Sequence, residues 1–405
     1  MALKTIEDID VRGKRVLMRV DFNVPLDSDG AVTDDFRIRS ALPSIRSVLA
    51  RGGRLVLMSH LGRPSGSGHE AAFSLVPVAR VLSSLLAEEC PDGVSVPADR
   101  CIAPGAIEAV AALGDGQALL LENLRFEAGE TAGDPEFSER LAAMGDIYCN
   151  NAFGTSHRAH ASMHGVALAI KPGPCVAGGL VAEEVGFLLD ALEDPRRPFV
   201  AITGGAKVSD KILALRNLIG RVDTLLVGGA MAYTFMKALG QDVGSSLVEG
   251  DRLDEAREII GLVDASGTDL VLPVDHVCGR ELSPDSPVEV HDGGIPDGWM
   301  GLDIGPRTTA RFTEEIRPAG TVVWNGPLGA FETPPFDVGT RQVAEALAIC
   351  TDRGGLTVVG GGDTAAAVES AGVTARMQHV STGGGASLKL LEGSPLVGLE
   401  PLEGA

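Results

Sequence analysis

Short runs of β-branched and leucine residues recur along this chain at spacings that leave room for a helix between them, and this alternation limits the fold more than any other feature. Runs at 15–20, 54–58, 94–98, 118–121 and 146–149 fall in the first half, and runs at 199–203, 224–227, 270–272, 321–324, 356–359 and 379–381 in the second. Between them, residues 37–50 and 74–88 carry apolar side chains at helical three-to-four spacing, the first stretch closed by Gly52-Gly53. Strands alternating with helices predict parallel sheets covered by helices on both faces. A Pro/Gly-rich segment at 171–179 breaks both periods and marks a boundary, and a helical stretch at 181–192 precedes the second series. The expected fold class is α/β, with two similar-sized doubly wound, Rossmann-like parallel-sheet lobes joined by a helix and hinge. The expected division is a first lobe over 1–175, a hinge and helix over 176–195, a second lobe over 196–386 and a segment over 387–405 that returns toward the first lobe.

In open parallel sheets, ligands sit at the carboxyl ends of the strands. Five cationic signatures follow apolar runs in the first 160 residues: Arg19-Val20-Asp21-Phe22-Asn23-Val24-Pro25, Arg37, Ser59-His60-Leu61-Gly62-Arg63-Pro64, Asn123-Leu124-Arg125-Phe126 and Gly154-Thr155-Ser156-His157-Arg158. Unrelated surface arginines would distribute over both sheet ends, so this placement predicts a pocket for a small polyanion. Arg37, His60, Arg63, Arg125 and Arg158 offer donors for phosphate and carboxylate oxygens. Asp21 and Asn23, two residues apart, can accept from and donate to hydroxyl and carboxyl groups. His60, His157 and His160 fall in the same motifs, but the acidic residues that would complete a metal site are missing from them and the arginines repel a cation.

The second half carries glycine-rich turns at the corresponding places. Gly204-Gly205-Ala206-Lys207-Val208-Ser209-Asp210-Lys211 follows an expected strand and opens a helix, which places backbone N–H groups and two lysines where phosphates can bind. It is neither GxxxxGK[ST] nor GxGxxG. Gly360-Gly361-Gly362-Asp363-Thr364 adds amides and a carboxylate suited to Mg²⁺ beside phosphates, and Gly383-Gly384-Gly385-Ala386-Ser387 adds amides alone. Trp324-Asn325-Gly326-Pro327-Leu328-Gly329-Ala330-Phe331-Glu332 offers an apolar wall and a carboxylate for a ribose. Each turn alone is compatible with a plain tight turn, and the functional reading rests on their convergence.

Composition narrows the setting. Asp and Glu total 55 against 34 Lys and Arg, for a net charge of −21, and 27 of the 34 cations are arginine. Such surface carboxylate repels itself in dilute salt and is screened at molar salt, where the Debye length is about 3 Å; a halophile's cytosol is the expected setting. The same field disfavours duplex DNA and anionic membranes. No run approaches the roughly 18 to 20 apolar residues of a membrane span, and the first residues show no apolar leader, so a cytoplasmic location is expected. The six cysteines are scattered singly with no CxxC pair, as expected for buried thiols.

The motifs VDFNVP (20–25), SHLGRP (59–64), ENLRF (122–126), AFGTSHRAH (152–160), GGAKVSDK (204–211), VWNGPLGAFE (323–332), GGGDT (360–364) and STGGGAS (381–387) resemble, in order, those of phosphoglycerate kinases. The resemblance covers about residues 16–392. It implies reversible phosphoryl transfer between ATP and the carboxylate of 3-phosphoglycerate, giving 1,3-bisphosphoglycerate and ADP, by a monomer whose hinge near residues 171–192 closes the site. The implied contacts to 3-phosphoglycerate are Asp21, Phe22, Asn23, Arg37, His60, Leu61, Gly62, Arg63, Arg125 and Arg158. Those to nucleotide are Lys211, Asn325, Glu332, Gly361, Gly362, Asp363 and Thr364, with Asp363 holding Mg²⁺. Arg37, Lys207 and the amides around Gly384 are the implied catalytic groups. Two departures stand out: Asn150-Asn151 replaces the family's usual Asn-Asp, and Gly228-Gly229-Ala230 replaces three glycines. Two rivals remain in view: a nicotinamide dehydrogenase, which lacks its GxGxxG, and a non-catalytic two-lobed sugar-phosphate or anion-binding protein, which needs neither Lys207 nor Asp363.

Overall fold

The computed structural model describes residues 3–402 and 404. The chain forms two compact units: one runs to Gly186 and takes back the chain from Pro395, and the other spans Phe187–Ser394.

The first unit is built on β1 (Arg15–Val20), β2 (Arg54–Met58), β3 (Ala118–Leu120), β4 (Ile147–Asn151) and β5 (Cys175–Ala177), all parallel in the order β3-β2-β1-β4-β5. A parallel sheet covered on both faces needs strands that are nearly continuous apolar runs, and Val16, Leu17, Met18 and Val20 of β1 are wholly buried, as is Arg19 between them. Helix Phe36–Ala50 lays Ile38, Leu42, Ile45 and Val48 onto this sheet. Gly52, at φ +75°, takes the left-handed conformation that turns the chain out of that helix. Gly53 packs where a Cβ would lie 2.6 Å from Val48 Cγ1.

Two expectations change here. Residues 94–98 form no strand, and Ser95 makes only a lone bridge to Leu119; Pro97 lacks the N–H that a ladder needs. The Pro/Gly-rich segment 171–179 contains edge strand β5, with Tyr148 N donating to Pro174 O at 2.9 Å just before it. The chain therefore leaves the first unit at Gly186, inside helix Gly179–Glu193, and the second unit keeps its chain to Ser394.

The second unit contains β6 (Phe199–Thr203), β7 (Thr224–Val227), β8 (Asp269–Val271), β9 (Asp275–Gly279), β10 (Val288–Asp292), β11 (Met300–Ile304), β12 (Thr321–Asn325), β13 (Leu356–Gly360) and β14 (His379–Val380). Six of these make a parallel sheet in the order β14-β13-β12-β6-β7-β8, around a core that includes Ile202, Phe312, Val322, Trp324 and Leu347. The antiparallel sheet β10-β9-β11 was not anticipated, although Val288–Asp292 alternates apolar and polar side chains as such a strand should.

Both parallel sheets start at a central strand, build outward on one side, then jump across to build on the other. The jump leaves a crevice at the carboxyl ends of β1 and β4 in one unit, and of β6 and β12 in the other.

Candidate active site

In the first unit the loops leaving the strands are tied to one another by side chains. Asn23 Oδ1, after β1, accepts from Gly62 N at 2.8 Å, after β2. Asn123, after β3, donates through Nδ2 to Leu61 O at 2.7 Å, and Arg125 NH1 donates to Gly62 O at 2.6 Å. Gly62 sits at φ +61°, where a Cβ would fall 2.4 Å from Phe73 Cδ1. Asp21 Oδ2 accepts from Arg37 NH1 at 3.0 Å. A cleft of about 300 Å³ is lined by Arg63, Arg125, Arg158 and His160, and also by Glu127.

The electrostatics fit an anion. Burial holds the His60 pKa well below the ordinary imidazole value, and the nearby cations Arg19, Arg125, Arg158 and Arg37 push it the same way. His160 is lowered to about 4, by burial first and then by Arg158 and Arg125. Arg125 is itself pulled down by burial and by Arg158. Its Nε–H is buried with no hydrogen-bond partner, and an unmet buried donor costs about 1–3 kcal/mol.

The second unit's crevice is shaped by backbone. Gly204 N donates to Asn325 O at 3.0 Å, Gly205 N to Pro327 O at 2.8 Å and Gly229 N to Leu328 O at 3.0 Å. These approaches require glycine: a Cβ on Gly204 would lie 2.2 Å from Pro327 O, and one on Gly326 2.2 Å from Gly204 O. They frame a largely apolar slot of about 370 Å³ walled by Tyr233, Leu247, Leu282, Met300, Leu302, Leu328 and Ala330, with Asp363 at its rim. Lys211 Nζ donates to Asn325 Oδ1, and burial lowers the Lys211 pKa against the pull of Asp210, Asp363 and Glu392. Lys207 is exposed on the same loop, which Glu249 holds by accepting from Ser209 N at 3.0 Å and Ser209 Oγ at 2.7 Å.

An arginine-lined cleft at one switch point and a glycine-framed apolar slot at the other are the parts expected of an enzyme that handles a small anion and a nucleotide. The phosphoglycerate kinase family model matches residues 6–394. The chain belongs to the phosphoglycerate kinase family. It is 52% identical to the phosphoglycerate kinase of Chlorobium luteolum over 405 residues, all of both chains, and 51% identical to that of Chloroflexus aurantiacus over 407 aligned residues, again all of both. Among solved structures, phosphoglycerate kinase from Coxiella burnetii superposes with a TM-score of 0.88 at 40% identity, covering 98% of each chain. That from Pyrococcus horikoshii gives 0.83 at 30% identity, covering 99% of this chain and 98% of the other.

Within this family member, the structure sorts the expected residues. Arg63, Arg125 and Arg158 share one cleft, and Asp21, Asn23, Arg37 and His60 are joined to it through the bonds and charges just described. Phe22 and Leu61 are core side chains, 0% and 3% exposed, leaving only their backbone for a ligand. Thr364 is buried, its hydroxyl accepting from Gly326 N at 2.7 Å. Trp324 is wholly buried, its Nε1 donating to Gly326 O at 2.8 Å, so the apolar wall is Pro327 to Ala330 instead. Glu332 is exposed and lies outside the slot's lining. Gly361, at φ +95°, precedes helix Gly362–Ser370, which puts Gly362 and Asp363 in its first turn. Gly384 opens helix Gly384–Leu391, while the Gly383 amide is engaged by Ser381 Oγ at 3.0 Å.

Sequence reasoning missed the walls formed by Tyr233, Leu247, Leu282, Met300 and Leu302; the alternation in β10 was the available signal for the small sheet that carries some of them. It also missed Asp303, 1% exposed, which accepts from Ile304 N at 2.9 Å and Gly339 N at 2.7 Å and whose pKa burial pushes up to about 8. Both departures from the family pattern are visible. Ala230 lines the slot. Asn151 Oδ1 accepts from Leu180 N at 3.2 Å and Ser44 Oγ at 3.3 Å, while its buried Nδ2 has no partner. The arginine cleft stands without the missing carboxylate.

Proposed function

We propose that the chain catalyses reversible phosphoryl transfer between ATP and the carboxylate of 3-phosphoglycerate, with the first unit binding the acid and the second the nucleotide. The observation that carries this reading is the pairing of a cleft lined by Arg63, Arg125 and Arg158 with a glycine-framed apolar slot, in a chain alike over its whole length to phosphoglycerate kinases. A non-catalytic anion-binding protein would not need the second pocket, and full-length relatives at 52% identity are kinases.

The attacking carboxylate is ionised at neutral pH, so no general base is required. Its oxygen forms the new P–O bond while the bond from the γ-phosphorus to the ADP oxygen breaks, and no proton need move. Catalysis then consists of positioning and of stabilising charge on the group in transfer. Arg63, Arg125, Arg158 and His60 hold the acid's anionic ends. Arg37, Lys207 and the amide of Gly384 supply positive charge for the group in transfer. Lys211, Asn325 and the first turn at Gly361 to Asp363 face the nucleotide phosphates, and Glu332 serves the ribose.

Among the described residues no group of three or more His, Cys, Asp or Glu side chains is placed to hold a metal ion. One exposed carboxylate at a helix start, Asp363, still fits Mg²⁺ that arrives with nucleotide phosphates, since Mg²⁺ keeps most of its shell as water and phosphate oxygens. Held there, it would neutralise charge on those phosphates.

The reading extends to a monomer, since one chain carries both pockets, to the cytoplasm and to a salt-rich cell. No helix among the described residues is long and apolar enough to cross a membrane, and the net charge of −21 suits concentrated salt. The test is ADP production from ATP and Mg²⁺, with and without 3-phosphoglycerate, in about molar KCl and in dilute buffer. Turnover that depends on 3-phosphoglycerate supports the kinase reading, and its survival only in high salt supports the halophilic setting. A folded protein inactive in both buffers would contradict the kinase reading.

A further inference from the structure

Beneath the arginine cleft lies a row of buried polar groups that the proposed mechanism does not use. Arg19, which opens the first cationic signature, sits inside β1 with no exposure. Its Nε donates to Ser162 Oγ at 2.9 Å, its NH1 to Val20 O, and its NH2 meets His60 Nδ1 at 3.1 Å. Ser162 donates from Oγ to Glu130 Oε1 at 2.6 Å and from its backbone N to Glu130 Oε2 at 3.0 Å. Glu130 and Ser162 are both 0% exposed. Carboxylate, hydroxyl, guanidinium and imidazole thus form one connected line.

The direction of that line follows from donor chemistry. A guanidinium has only donors, so His60 Nδ1 must accept, and the ring's N–H must lie on Nε2. A protonated ring would place two donors nose to nose. Asp21 does not offer a way out: its Oδ1 stands 3.9 Å from His60 Nδ1, and its Oδ2 is engaged by Arg37. The charges facing His60 are Arg19, Arg37, Arg125 and Arg158, all cationic and all opposed to a further proton, with Asp21 the facing carboxylate. Glu130, at the far end of the line, supplies the buried counter-charge that keeps Arg19 tolerable in the core.

We propose that Arg19 is a positioning residue that fixes His60 as the neutral, Nε2-protonated tautomer, so that His60 meets 3-phosphoglycerate as a directed hydrogen-bond donor and not as a cation. This rests on the reading that His60 touches the acid. It leaves the charge of the cleft to arginines, which do not titrate, so the pocket's pull on an anion is constant across the range where an ordinary histidine would gain or lose its proton.

The experiment is ¹⁵N NMR of the full chain labelled at histidine, with the His60 resonances assigned by His60→Gln. The wild type should show an unprotonated Nδ1 and a protonated Nε2 from about pH 5.5 to about pH 8, and adding 3-phosphoglycerate should move the Nε2 signal. In Arg19→Met the ring, still buried among Arg37, Arg125 and Arg158, should stay neutral but exchange between tautomers, and KM for 3-phosphoglycerate should rise by about 10-fold with KM for ATP unchanged. Arg19→Lys, which keeps one donor, should recover part of both effects. If Arg19→Met does not fold, Ser162→Ala, which loosens Arg19 without removing it, should shift the tautomer balance in the same direction. A wild-type Nδ1–H signal, or a wild-type His60 that titrates like free histidine, overturns the proposal. The expected tautomer with no response to 3-phosphoglycerate would instead overturn the assignment of His60 to the acid's site.

Discussion

The cleft of the first unit and the slot of the second occupy the same place in the same strand topology, yet one is made of side chains and the other of backbone. In the cleft, Arg63, Arg125 and Arg158 project from loops after β2, β3 and β4, the first two of which are held by Asn23 and Asn123. In the slot, Gly204, Gly229 and Gly326 bring three loops within backbone hydrogen-bonding reach, and the apolar walls come from segments up to about 100 residues apart. A phosphate or carboxylate demands charge at fixed points, which arginine forks provide. A flat, mostly apolar base demands a gap of set width, which close backbone approach provides. Recognition by charge and recognition by shape therefore leave different traces in the chain.

If that contrast is right, the largest single effect should come from a cation beside the transferring group. Lys207→Ala should lower kcat by at least about 100-fold while leaving KM for ATP much less changed; steady-state kinetics with near-normal kcat would remove Lys207 from the mechanism. In the cleft, Arg63→Ala should raise KM for 3-phosphoglycerate by about 10-fold to 100-fold, the worth of hydrogen bonds to a charged group, and should spare ATP. Equal losses toward both substrates would break the division of labour between the pockets.

The slot should fail in a different way. Gly204→Ala forces a Cβ against Pro327 O, at 2.2 Å in the present geometry. Such overpacking costs about 1–3 kcal/mol, so ADP affinity should fall about 10-fold by calorimetry while 3-phosphoglycerate binding is retained. An unaffected ADP affinity would mean that backbone approach does not set the slot's width.

The smallest effect on activity concerns the buried carboxyl behind the slot, which registers in stability instead. Asp303 keeps its proton in the folded chain to about pH 8, whereas an unfolded Asp loses it near about pH 4. Folded stability attributable to this group is therefore highest at low pH, falls as pH rises through that window, and levels off above it. Denaturant unfolding of Asp303→Asn should show a shallower decline with pH, by up to about 1.4 kcal/mol per pH unit. An unchanged slope would mean Asp303 is ionised throughout, with its backbone donors offsetting burial.

The contrast also explains what could be read from the chain before its structure. β1, β2, β6 and β7 follow their apolar runs residue for residue, because a strand buried on both faces is apolar almost throughout, Arg19 being the charge inside β1. The cleft was legible for a related reason: Arg63, Arg125 and Arg158 each stand one loop beyond such a run. Edge strand β5 was hidden by the Pro and Gly that flank it, and residues 94–98 looked like a strand because hydrophobicity says nothing about the N–H that Pro97 lacks. Trp324 looked like a pocket wall by composition alone, but the strand period turns it into the core. Tyr233, Met300 and Leu302 carry no motif, since what recruits them to the slot is which backbones approach one another. Arg19 was read by its charge, whereas its role depends on a hydrogen-bond partner 41 positions away.

Transfer of a phosphoryl group from a nucleotide to a carboxylate can be followed in the γ-phosphate itself. With ATP labelled at the γ-phosphate, label should appear in a hydroxylamine-labile acyl phosphate only when 3-phosphoglycerate is present, and Lys207→Ala should slow its appearance. Label released only as inorganic phosphate, at a rate indifferent to 3-phosphoglycerate, would contradict that transfer.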